Sequence, residues 1–124
     1  MMDARTAAPG AGTRTGAASY FLIESKGNWA GPNAGTFLLD AVALAEAGHR
    51  VRVLLVEDGV LTAVGTDAPE IRRLAGAGVE ILVDDFSAAQ RALSATTLSP
   101  HVRLAGMDVA AAALTEDGCR GVWH

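Results

Sequence analysis

The densest apolar run in the chain lies inside His49–Val60, where Val51, Val53, Leu54, Leu55 and Val56 follow one another almost without interruption. Gly48 precedes the run and Asp58-Gly59 supplies a turn signal after it. A short β-branched run between turn signals reads as a strand buried on both faces, and such a strand needs helices above and below it. The flanking patterns supply them. Tyr20–Glu24 is short, apolar and aromatic-bearing and reads as a first strand, while Ser25–Thr36, with Gly27, Gly31, Pro32 and Gly35, reads as a loop. Phe37–Ala47 then carries apolar residues at helical spacing, with Gly48 as its C-cap. Strand, loop, helix and strand make one βαβ unit, for which a right-handed crossover is expected.

The same punctuation continues downstream. Asp67 or Thr66 is a good N-cap, and Pro69 fits the first turn of a short helix Glu70–Ala77 ended by Gly78. Val79–Val83 reads as the third strand, followed by a helix Phe86–Leu93 with Asp84 or Asp85 near its positive end. Ser94–Pro100 is a polar connection, His101–Leu104 a fourth strand, Met107–Leu114 a helix, Thr115–Gly118 a turn and Cys119–Trp123 a last strand. Alternating strands and helices predict an α/β fold of three layers, with a mainly parallel five-stranded sheet and helices on both faces. Ligands of such sheets gather outside the carboxyl ends of the strands, so Glu57-Asp58-Gly59 is the first place to look for chemistry.

Composition narrows the picture. The chain has 124 residues, enough for one domain of ordinary size. Residues 1–18, rich in Ala, Gly and Thr and without periodicity, read as a flexible tail, leaving 19–124 as the domain. Hydrophobic residues make up 50% and aromatics only 5%, so Val, Leu, Ile and Ala must build the core. The net charge is −4 with no basic cluster, which argues against nucleic acid or an acidic membrane surface as partner. The single cysteine, Cys119, excludes an internal disulfide framework and a cysteine-based zinc site, and a reducing cytoplasmic setting is expected. No apolar run approaches the roughly 18–20 residues that span a bilayer, and no apolar signal-peptide region opens the chain.

Few motifs carry chemistry. Lys26–Thr36, K-G-N-W-A-G-P-N-A-G-T, lies where glycine-rich loops cradle phosphates, but it matches neither dinucleotide nor P-loop spacing and reads as a connecting loop. Trp29 within it is either a local packing lid or a contact for a partner. Lys26, Asp58, Asp84 and Asp85 fall at one end of the sheet. There a carboxylate serves as a general base or a magnesium ligand, or else as a helix cap and solubilising group. His49, His101 and His124 lack metal-ligand spacing and read as ordinary surface residues, so no metal site and no cofactor is expected. Cys119 is a nucleophile if Arg120 or a helix end favours its thiolate, and a buried structural thiol otherwise.

Four segments form an ordered set: Ala47–Val60, A-G-H-R-V-R-V-L-L-V-E-D-G-V; Gly78–Val83, G-V-E-I-L-V; Gln90-Arg91-Ala92-Leu93; and the terminal segment closing on Trp123. From about Tyr20 to Trp123 they resemble the DsrE/DsrF/DsrH-like family, which includes the subunits of the Tus sulfur-relay complex. The matches are to its second strand and D-G-V turn, its third strand and the A-R-G-L-type end of the next helix. The closing tryptophan is similar to the DsrH/TusB branch, and the long helix after a G-P loop is more similar to DsrE. The resemblance implies a DsrE/F-like α/β fold and a homo-oligomer (trimer or hexamer), or a hetero-oligomer with sulfur-transfer proteins of the TusBCD type. It also implies persulfide transfer through a cysteine after the third strand. Counting back from Arg91, that position falls on Asp84, with Asp85 as the one-residue alternative, and an aspartate has no thiol.

The implied role is therefore a non-catalytic or accessory member of a sulfur relay rather than an independent enzyme, with Trp29 and Trp123 as candidate contacts. Two alternatives stand beside it. One is a sulfurtransferase using Cys119; the other is a small-molecule or nucleotide-binding module using Lys26–Thr36 and the acidic strand ends.

Overall fold

The computed structural model describes residues 18–27 and 34–124. Residues 1–17 of the expected tail, and 28–33 of the expected loop with Trp29, lie outside the described residues. The order of elements is β1 (Ser19–Glu24), α1 (Ala34–Glu46), β2 (Arg50–Leu55), a 3-10 helix (Glu57–Ala63), α2 (Pro69–Gly76), β3 (Glu80–Asp84), α3 (Asp85–Gln90), β4 (Val102–Ala105), α4 (Met107–Leu114) and β5 (Cys119–Trp123).

The five strands form one sheet in the order β4-β3-β2-β1-β5, and every neighbouring pair is parallel. The apolar run that dominates the sequence is thus the middle strand, buried from Val51 to Leu55 as a two-faced strand must be. On one face, Phe37, Leu38 and Ala41 of α1, Ile71 and Leu74 of α2 and Ala88 of α3 pack over Leu22, Val53, Leu55 and Val83. On the other, Ala110 and Ala113 of α4 cover Phe21, Ile23, Leu54 and Leu82. Crossovers that keep one hand account for this division, because the chain steps from β1 to β4 in one direction and returns across the opposite face to reach β5. No helix among the described residues is long and apolar enough to cross a membrane.

Several boundaries differ from the sequence reading for identifiable reasons. Helix α1 starts at Ala34 rather than Phe37. Neither Thr66 nor Asp67 caps α2. The N-cap is Ala68, which makes no side-chain capping bond, and Asp67 instead pairs with Arg72 at 2.9 Å. Pro69 at the first helical position holds the preceding residue extended and so moves the cap one residue along. Helix α3 stops at Gln90 rather than Leu93, because Ala92 turns into the left-handed region at φ 55°. The connection 94–100 is not merely polar. Leu98 and Ser99 are buried, Leu98 bridges Val64, and the Ser99 amide donates to the Ala63 carbonyl at 2.7 Å. The turn expected at Asp58-Gly59 is the start of the 3-10 helix.

Candidate functional site

The carboxyl ends of β2 and β3 are tied together by a polar network. Asp84 ends β3 and at the same time caps α3, since no residue separates strand from helix. Its side chain is only 4% exposed. Ser87 donates to Asp84 Oδ2 through its backbone N–H at 2.9 Å and its hydroxyl at 2.6 Å, and the Ser87 Oγ accepts from the Glu57 amide at 2.9 Å. Glu57 reaches that position in the left-handed region, at φ 50°. Arg91 closes the network from outside, donating from Nη2 to Asp58 Oδ1 at 2.9 Å and from Nη1 to the Ser87 carbonyl at 3.2 Å. One atom is left over: Asp84 Oδ1 is buried with no hydrogen-bond partner. Ser87 is itself buried, so the hydroxyl beside this carboxylate is not offered to solvent.

Beside this network the ends of β3 and β4 lie next to each other, with Asp84 paired in register with Ala105. The chain leaves β3 toward one face of the sheet and β4 toward the other, the geometry at which α/β sheets open a binding cleft. Asp85 and Asp108 approach one another there across Gly106; a Cβ on that glycine would lie 2.6 Å from Asp108 Oδ1 and 3.9 Å from Asp85 Oδ2. Phe86 and Met107 are exposed beside them. Among the described residues no three His, Cys, Asp or Glu side chains are grouped so as to hold a metal ion.

At the other side of β2, the end of β1 holds a pair that sequence reasoning missed. Glu24 is 1% exposed and pairs with Nδ1 of His124 at 2.9 Å. The expectation that His124 is an ordinary surface residue is therefore wrong. Glu24 reads in the sequence as the polar end of a strand, and its partner lies 100 positions away, so no local pattern links the two. Lys26 follows with an exposed side chain, and its backbone N–H donates to Glu24 Oε2 at 2.9 Å. Of the other histidines, His49 Nδ1 accepts from the Ala18 amide at 2.8 Å and meets the Tyr20 ring edge-on, while His101 is exposed.

Cys119 lies at the opposite end of the sheet, paired in register with Ser19 at the start of β1. It is half-buried. Arg120 does not serve it, because successive residues of a strand point to opposite faces and Arg120 turns to Tyr20, its guanidinium 5.8 Å from the ring centre. The cation beside Cys119 is Arg52, a residue the sequence did not single out. Arg52 is buried, lies 5.3 Å from the centre of the Phe21 ring and donates to Glu116 at 2.8 Å, with Cys119 Sγ at 3.9 Å. Trp123 is 64% exposed at the end of the edge strand β5.

The structure thus gathers Asp84 and Asp85 at neighbouring sites, ties Asp58 to Arg91, and separates all three from Cys119 by the length of the strands. No protein-family model matches this chain, and no curated protein does. Among the solved structures that share its fold are two from a bacterium and an archaeon. The ychN protein from E. coli superposes with a TM-score of 0.69 at 19% identity, over 86% of this chain and 99% of that one. MTH1491 from Methanobacterium thermoautotrophicum, a protein of unknown function, does so with a TM-score of 0.64 at 14% identity, again over 86% and 99%. The parallel five-stranded α/β architecture expected for a DsrE/F-like fold is the one this chain has.

Proposed function

We propose that the chain is an accessory member of a DsrE/DsrH-like sulfur-relay system, working through oligomer or partner contacts rather than carrying sulfur itself. The observation that supports this most is Asp84. At the place where the resemblance expects a sulfur-bearing thiol, the chain has a buried carboxylate with Oδ2 engaged by Ser87. That group caps a helix; it has no sulfur to form a persulfide and no exposed atom to offer an acceptor. The exposed apolar residues at both sheet edges, Phe86 and Trp123 among them, supply surface for contacts.

Two measurements on the full chain test the reading. Intact mass after exposure to a persulfide donor should show no retained sulfur atom, and a stable gain at Cys119 would refute a purely accessory role. Light scattering at micromolar concentration should find an assembly larger than one chain. A strict monomer that also captures no sulfur-transfer protein would overturn it.

A further inference from the structure

Glu24 closes β1 almost entirely out of water. A buried carboxylate must be matched by donors, and each donor it recruits is held in place in return. Here the donors are the Lys26 amide and the His124 ring, whose Nδ1 lies 2.9 Å from Oε1 and 3.1 Å from Oε2. His124 is fixed from other directions too. Its amide donates to the Ile23 carbonyl at 2.8 Å, and its own carbonyl accepts from the Ser25 amide and hydroxyl, each at 2.9 Å. Its ring stacks on Phe37, with centroids 5.0 Å apart and planes 20° from parallel. An ionised carboxylate only accepts, so in the neutral imidazole the proton sits on Nδ1 and the lone pair on Nε2. Nε2 has no partner among the described residues, and 31% of the side chain faces solvent.

We propose that His124 is an oriented proton acceptor. Its Nε2 takes the proton of a weakly acidic X–H group, water or the hydroxyl or thiol of a small molecule, at the carboxyl ends of β1 and β5. Glu24 is the positioning residue: it fixes the tautomer, holds the ring and stabilises the imidazolium that forms. This goes beyond the accessory role and does not depend on it, because it uses residues on the far side of β2 from Asp84.

The probe is p-nitrophenyl acetate, with water as the X–H group. Nε2 takes a proton from water as the oxygen bonds to the acetyl carbon; the carbon–oxygen bond to p-nitrophenolate then breaks, and the proton returns to solvent. The full chain should hydrolyse the ester faster than buffer. His124→Gln should lose about 100-fold, the low end for a positioned base, and Glu24→Leu about tenfold, with circular dichroism unchanged. A second measurement needs no variant: nitrogen-15 NMR of the imidazole in mildly alkaline buffer should show Nδ1 protonated and Nε2 bare. Hydrolysis no faster than buffer, a rate indifferent to His124→Gln, or a proton on Nε2 would each overturn the proposal.

Discussion

Gly59 sits where the 3-10 helix passes the end of β1. A Cβ there would overlap the backbone carbonyl of Glu24, and that carbonyl is pinned because it accepts from the Val56 amide at 3.0 Å. The D-G-V turn thus owes its glycine to a close approach between two backbones. Gly59→Ala should destabilise the fold by about 1–3 kcal/mol, the usual range for overpacking, read as a lower urea midpoint at unchanged slope. Ala92 presents the opposite case. It holds φ 55° without being glycine, at the position where the resembled motif has one. Left-handed backbone costs a residue with a Cβ about 1–2 kcal/mol, and the extra freedom glycine brings to the unfolded chain removes part of that gain. Ala92→Gly should therefore stabilise the protein by about 0.5–1 kcal/mol in the same titration.

Helix α3 is the element that depends most on a single residue. It has only six residues, too few to be stable alone, and starts directly from β3 through the Asp84 cap. Asp84→Ala should cost about 1–2 kcal/mol and speed hydrogen exchange at the Ser87 amide, which loses its acceptor. Asp84→Asn, which keeps an acceptor oxygen, should leave that amide protected. This cap was legible in the sequence because an acidic residue stood between a strand pattern and a helix pattern. So were α4 and β5, whose limits coincide with the reading because Gly106 and Thr115–Gly118 punctuate them on both sides. The missed features depend on contacts distant in sequence. Leu98 is buried because it joins the core that Val60 and Ala63 also enter, and Glu24 meets His124 only when β5 lies beside β1. At the Asp84 site the carboxylate was legible, but Ser87, which engages it, and Arg52 beside Cys119 were not.

Among the described residues the sheet ends on β4 at one side and β5 at the other, and the two edges differ. At one, Leu104, Phe86 and Met107 are exposed around β4; at the other, Val122 and Trp123 are exposed on β5, with Leu114 lying over Gly121. An uncovered apolar edge strand is a template for pairing with another chain. In the proposed assembly two unlike edges favour a head-to-tail contact, in which the β5 edge of one copy meets the β4 edge of the next and the rotation closes a ring. A self-complementary contact would instead use the same edge twice. Substitution separates the two arrangements. Trp123 and Phe86 are 64% and 67% exposed, so Trp123→Lys and Phe86→Lys should each change stability by no more than about 0.5 kcal/mol. Light scattering should then report monomers for either variant alone, because each has lost one of the two surfaces a head-to-tail contact needs. Mixed in equal amounts, the variants still hold one intact surface of each kind between them and should recover a pair but no ring. A single variant that leaves the assembly intact would exclude the head-to-tail arrangement.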